Sequence, residues 1–241
     1  FLFIKSTNRI TSMTATMETG RADKVKQLRE DAVVQLEELL ALKMEEVAIL
    51  QQQLAALSKH HVRETDMTDP YGDKGKYTGQ IHNDKPHGKG TMKYDDGRTY
   101  IGEWSEGRWH GNGRATFSNG DSYDGHYRYD QRHGVGTYHW HDGRIYSGGF
   151  YADKRQGKGS YTWPDGAKYE GEFRDGQHEG YGTYRFADGS VYSGEWKQGQ
   201  YHGNGQCTWS DGRVYVGVWH MGQAHGQGKE TNPDGTIRHD G

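Results

Sequence analysis

Cysteine is nearly absent. Cys207 stands alone in 241 residues, so no disulfide can form within the chain, which fits a reducing compartment. Long apolar runs are missing too, and none nears the roughly 18 residues that a bilayer-spanning helix needs. Neither sign of charge dominates. Residues 1–70 hold 9 Lys and Arg against 11 Asp and Glu, and residues 71–241 hold 21 against 22. That balance speaks against a nucleic-acid binder, which carries a basic face. Apolar residues make up only 31%, which by itself leans toward disorder. Aromatics at 12% argue the other way, because each ring buries a large area. Glycine is almost missing from the first 70 residues, where only Gly20 occurs, and 36 of the 37 glycines follow. The chain therefore has two parts with different physics.

The glycine-rich part is written in a 23-residue period. Tyrosine recurs at 77, 100, 123, 146, 169, 192 and 215, with glycine two residues on each time. Four residues on stand Ile81, Trp104, Tyr127, Phe150, Phe173, Trp196 and Trp219. Glycine returns at offsets 11 and 13 in every repeat. At offset 17 stand Tyr94, Phe117, Trp140, Trp163, Phe186 and Trp209, with Asn232 in the seventh place. Offsets 0, 2 and 4 alternate with polar residues, as in Tyr192-Ser193-Gly194-Glu195-Trp196, so they share one face of a strand. Offsets 13, 15 and 17 predict a second strand. Asp-Gly, or once Asn119-Gly120, then closes a three-residue hairpin with a bulge, and Pro164-Asp165-Gly166 shows its chemistry most fully. One hairpin is unstable alone and must stack on its neighbours. The expected fold is mainly β: an elongated single antiparallel sheet of about seven 23-residue hairpins and about fourteen strands, with degenerate ends. Ile81 and Met92 replace rings in the first repeat, and Glu230, Asn232 and Arg238 break the pattern of the last.

Tyr-x-Gly-x-aromatic, then Gly-x-Gly, then Asp-Gly before the next tyrosine closely resembles the MORN (membrane occupation and recognition nexus) repeat family. The resemblance covers residues 71–241 and is specific for the fold. For function it implies a range: junctophilins, radial spoke head proteins, apicomplexan cytoskeletal scaffolds, plant phosphatidylinositol-phosphate kinases and one class of SET-domain methyltransferase. In the last two the chemistry sits in a separate domain, for which no segment here is long enough. The resemblance thus implies a non-catalytic scaffold in a cytoskeletal, ciliary or membrane-associated assembly of the cytoplasm. A phosphoinositide-binding tether is the alternative, and a regulatory subunit or fragment of a lipid kinase or methyltransferase the remote one.

Residues 22–59 contain neither Gly nor Pro and are rich in strong helix formers. Val25, Leu28, Leu36, Leu39, Val47, Leu50, Leu54 and Leu57 recur at spacings of three, four and eleven, interrupted by Lys43. This stripe predicts an amphipathic helix that either pairs in a nearly straight coiled coil, giving a homodimer, or packs on its own sheet. Residues 1–21, Ser/Thr-rich at the start, read as a flexible N-terminus in preference to an organelle transit segment. Residues 60–76 read as a linker, and 77–241 as the array.

Three tempting sites have plainer readings. His87, His110, His133, His202 and His225 share offset 10, but repeats two strands apart hold them about 9–10 Å from one another, too far to share a metal. Gly-x-Gly opens a strand, whereas a phosphate loop opens a helix. Cys207 takes an inward place where Tyr161 and Tyr184 stand in neighbouring repeats, which makes it a buried small residue. No acid–base pair converges, so neither catalytic residues nor a cofactor or metal site is assigned. Arg98, Arg144 and Arg213 recur after the hairpin glycine, but Asp121, Ala167, Ser190 and Thr236 break the row, leaving weak phospholipid contact as the lipid reading. The expected partner surface is the aromatic face, represented by Trp104, Tyr127, Trp140, Phe150, Trp163, Phe173, Trp196, Trp209 and Trp219. A single sheet has no second layer to cover it. The occupant it suits is an apolar helix, from a partner, a second copy or residues 22–59.

Overall fold

The structure is a computed structural model that describes residues 24, 26–29, 31–53 and 61–241. It divides into two compact units, residues 1–59 and 60–241. In the first, the described residues between 24 and 53 are helical; this is α1. Among the described residues no helix is long and apolar enough to cross a membrane.

The second unit is one sheet of sixteen strands in sequence order, each antiparallel to the next. Two strands exceed the expected fourteen, one at each end. β1, His61–Thr68, pairs with β2, Lys74–His82. This corrects the reading of 60–76 as a linker. β1 carries no repeat signature, yet Val62 and Met67 pack on the core and cover what would otherwise be an open edge. β16, Ile237–Asp240, does the same at the far end, beside β15, Gln223–Thr231.

Each repeat is a long hairpin with two kinds of turn. At one end Trp163 N–H donates to Ala167 O at 2.9 Å and Gly166 N–H to Trp163 O at 3.0 Å, which is the expected three-residue loop. The aspartate of Asp-Gly has a further task. Its carboxylate, or the Asn119 amide oxygen, accepts the N–H two residues on at 2.8–3.1 Å in all seven repeats. The other turn has two residues, both left-handed, such as Asn83-Asp84 and Gln198-Gly199, the geometry whose twist matches paired strands.

The second strand of each repeat starts earlier than expected. β3 runs Lys85–Tyr94, from offset 8, and carries a bulge at offsets 11 and 12. In the next repeat Gly102 faces Gly113 but Glu103 faces His110, so Gly111 and Asn112 are extra. Gly111 has φ of 57°, which explains why only glycine occupies offset 11. The register shift recurs in every repeat. Because a bulged strand bends, seven aligned bulges crease the sheet and turn its aromatic face inward.

The repeat tyrosine lies in this crease. Its Oη donates to the carbonyl at offset 3, beside the bulge, at 2.7–3.3 Å in all seven repeats. Its ring covers the glycine pair at offsets 2 and 13. A Cβ on Gly171 would lie 2.5 Å from Tyr169 Oη and 2.6 Å from Gly182 Cα, so that pair is fixed by close approach.

Candidate functional site

The rings form two ladders. The inner one joins tyrosines at offset 0 to aromatics at offset 4, from Tyr77–Trp104 to Tyr215–Trp219. Neighbouring centroids are 5.0–5.4 Å apart and planes cross at 80–89°, the edge-to-face arrangement that ring quadrupoles favour. Every member is buried. Trp104, Trp196 and Trp219 also donate Nε1–H to the carbonyls of Gly90, Gly182 and Gly205, each at 3.1 Å. Burial pushes up the hydroxyls of Tyr77, Tyr100, Tyr123, Tyr146, Tyr169 and Tyr192, those of Tyr123 and Tyr146 to about 12. Among the described residues of the second unit, these rings form a layer over one face of the sheet.

The outer ladder uses offsets 15 and 17. It zigzags through Phe117, Tyr138, Trp140, Tyr161, Trp163, Tyr184 and Phe186, with centroids 4.3–6.0 Å apart. Tyr138 and Tyr161 are buried, while Phe117, Trp140, Trp163 and Tyr184 are only partly so and Phe186 is 36% exposed. Arg132 and Arg155, at offset 9, lie over its rings: Arg132 Cζ is 4.9 Å from the Tyr138 centroid and Arg155 Cζ 5.1 Å from that of Tyr161. Beside Trp163 a cleft of about 300 Å³ opens between Arg155, His178 and the turn glycines Gly176 and Gly199.

The nine rings expected to form one partner surface therefore lie at two depths. Trp104, Tyr127, Phe150, Phe173, Trp196 and Trp219 are at most 7% exposed and hold the array together. Trp140, Trp163 and Trp209 keep accessible surface. Offset 9 has no recurring residue type in the sequence that marks it as inward. It carries Pro86, Trp109, Arg132, Arg155, His178, Tyr201 and Ala224. Three of these stack flat on the repeat tyrosine: Trp109 on Tyr100 at 4.5 Å, His178 on Tyr169 at 3.7 Å and Tyr201 on Tyr192 at 3.7 Å.

The arginines after the hairpin glycine are all engaged at home. Arg98, Arg144 and Arg213 lie 4.5–5.1 Å over Tyr94, Trp140 and Trp209. They pair with Asp96, Asp142 and Asp211, and Arg98 also meets Asp73. Asp121, in the same column, is 5% exposed. Burial would raise its pKa, but the N–H of His141, then Tyr138 Oη, then the His141 ring hold it down at about 2. It ties the loops of successive repeats together. Ser190 repeats the clip by accepting Ser210 N–H at 3.0 Å.

Cys207 is buried, and burial pushes its thiol up, the opposite of an activated nucleophile. Of the offset-10 histidines, His110 and His133 pack on Tyr129 and Tyr151, centroids 4.8 and 5.1 Å apart. On α1, Leu28, Leu36, Leu39, Val47 and Leu50 are 51–64% exposed. Val25, Leu54 and Leu57 lie outside the described residues.

Comparison with known proteins agrees with the repeat geometry. The MORN repeat model matches residues 77–97, 100–122, 123–143, 146–168, 169–191, 192–212 and 215–237. No curated protein matches the chain. Similar solved structures include the TCP domain of Drosophila melanogaster SAS-4 (dCPAP) in complex with a proline-rich motif of Ana2 (dSTIL). It is 14% identical with a TM-score of 0.40, over 72% of this chain and 86% of that one. The wild-type TCP10 domain of Danio rerio CPAP is 12% identical with a TM-score of 0.18, over 73% and 99%. A point mutant of that domain is 13% identical with a TM-score of 0.24, over 73% and 98%.

Proposed function

The chain belongs to the MORN-repeat family, and from that premise we propose that it is a non-catalytic scaffold that binds a protein partner along its outer ring ladder. The observation that carries this is the contrast between the ladders. Rings needed for the fold are sealed, whereas Trp140, Trp163, Tyr184 and Phe186 form an accessible aromatic strip. Trp and Tyr are favoured anchors in interfaces, and a contiguous apolar strip marks an interaction surface. The partner chemistry that fits is the apolar face of a helix laid along the strip. The setting carried over from the family is a cytoskeletal or ciliary assembly.

Partners captured by the full chain test the assignment. Trp163→Ala should weaken capture by about 2 kcal/mol or more. Tyr181→Ala, which removes a ring 60% exposed on the opposite face, should leave it unchanged. Loss with Tyr181→Ala and retention with Trp163→Ala would show that the other face binds. Flotation with anionic vesicles separates the tether reading: with Arg98, Arg144 and Arg213 occupied, the chain should stay with the unbound fraction.

A further inference from the structure

The first repeat lacks rings at three inward places, and the gap has a shape. In the second, fifth and sixth repeats a flat side chain at offset 9 stacks on the repeat tyrosine. In the first, offset 9 is Pro86, and offsets 4 and 15 hold Ile81 and Met92. A cleft of about 630 Å³ results, lined by Val62, Met67, Ile81, Pro86, Met92 and Trp104. Trp109 fills the corresponding slot one repeat later. There it lies between Tyr94 of the preceding repeat, Tyr100 of its own and Tyr127 of the next. In the first repeat β1 and Trp104 supply the outer walls, and the middle is open.

The rim is acidic. Asp66, Asp69, Asp84 and Glu106 line the same cleft, against one lysine, Lys85. Lys76 meets Asp66 at 2.8 Å, and the His87 ring lies 3.7 Å from Glu106. We propose that this notch receives one aromatic side chain of a partner protein, presented between basic residues. The incoming ring takes the place that Trp109 takes in the second repeat, and its basic neighbours meet the rim carboxylates. Apolar walls supply the driving force, and complementary charge supplies orientation and selects against acidic segments. The site is separate from the outer ladder, so either can fail while the other stands.

The probe is the blocked pentapeptide Lys-Lys-Trp-Lys-Lys, titrated into the full chain and followed by methionine methyl resonances. Met67 and Met92 should shift saturably, and Met221, in the last two-residue turn, should not. Replacing the peptide tryptophan by alanine, or its lysines by glutamates, should weaken binding about tenfold or more, equivalent to about 1.4 kcal/mol. Pro86→Trp should fill the notch from within, melt no lower than wild type and weaken the peptide about tenfold. Asp84→Asn with Glu106→Gln, two turn positions on the surface, should weaken the lysine peptide and flatten its salt dependence. Trp163→Ala should change nothing. The proposal is overturned if Met67 and Met92 stay still, if the tryptophan and alanine peptides bind alike, or if a folded Pro86→Trp binds like wild type. Should Pro86→Trp not fold, unchanged binding in the rim double variant would overturn it instead.

Discussion

His178 lies face to face with Tyr169, planes 16° apart, with Phe173 and Trp196 edge-on around it. Burial, then the positive charge of Arg155, holds its pKa down at about 4, from an ordinary 6.5. The unfolded chain therefore takes up a proton that the folded chain refuses between those values. Stability from this residue is complete above pH 6.5 and is lost as the pH falls toward 4. After allowance for partial solvent access the loss is on the order of 2 kcal/mol. Melting followed from pH 7.5 to 4.5 should show it, and His178→Tyr should remove that component, because Tyr201 occupies the same offset one repeat on. An unchanged pH profile in His178→Tyr would contradict the assignment. This column was illegible in the sequence for a physical reason. Where the slot is filled by a ring it asks only for a flat face, which Trp109, His178 and Tyr201 each offer, and the other repeats place Pro, Arg or Ala there, so no single letter marks the column. The glycines at offsets 2, 11 and 13 were legible because their demands, close approach and a left-handed φ, admit one residue type.

At the scale of elements, turn chemistry divides the same way. The Asp-Gly loop announces itself because both residues are required: aspartate to hold the following N–H and glycine to close the loop. The two-residue turn does not, since its first position is variously Asn83, Glu106, Tyr129, Ala152, Asp175, Gln198 and Met221. The strands tolerate this variety because the turn is anchored from outside. Its second residue donates to the offset-9 carbonyl of the preceding repeat at 2.9–3.1 Å, from Gly107 on Pro86 to Gly222 on Tyr201. β1 escaped the periodic reading because it repeats nothing. Its register is set by β2 and its place by Val62 and Met67. On α1 the stripe from Leu28 to Leu50 offers exposed apolar side chains of the kind that pair helices. Sedimentation of residues 1–241 should show a larger species that residues 61–241, which keep β1, do not form. Two monomers would remove the helix as a dimerisation element.

At the scale of the whole sheet, aligned bulges crease the strands and the sheet fills the crease with its own rings. The sequence pattern places all of those rings on one face, correctly, and suggests that the face is one surface. Depth was not readable, because the two-residue bulge that folds the face inward looks, in letters, like an ordinary Gly-x-Gly. The inner ladder maintains the fold, and the proposed partner meets the outer ladder. Thermal melting of Trp196→Ala and Trp163→Ala, side by side, tests this division most directly. Trp196 is 5% exposed and donates to Gly182 O, so its removal should cost about 3–5 kcal/mol. Trp163 is only partly buried, and its removal should cost about 1 kcal/mol, the scale of an aromatic pair. An equal cost for the two changes, or a larger one for Trp163→Ala, would contradict the division between the two ladders.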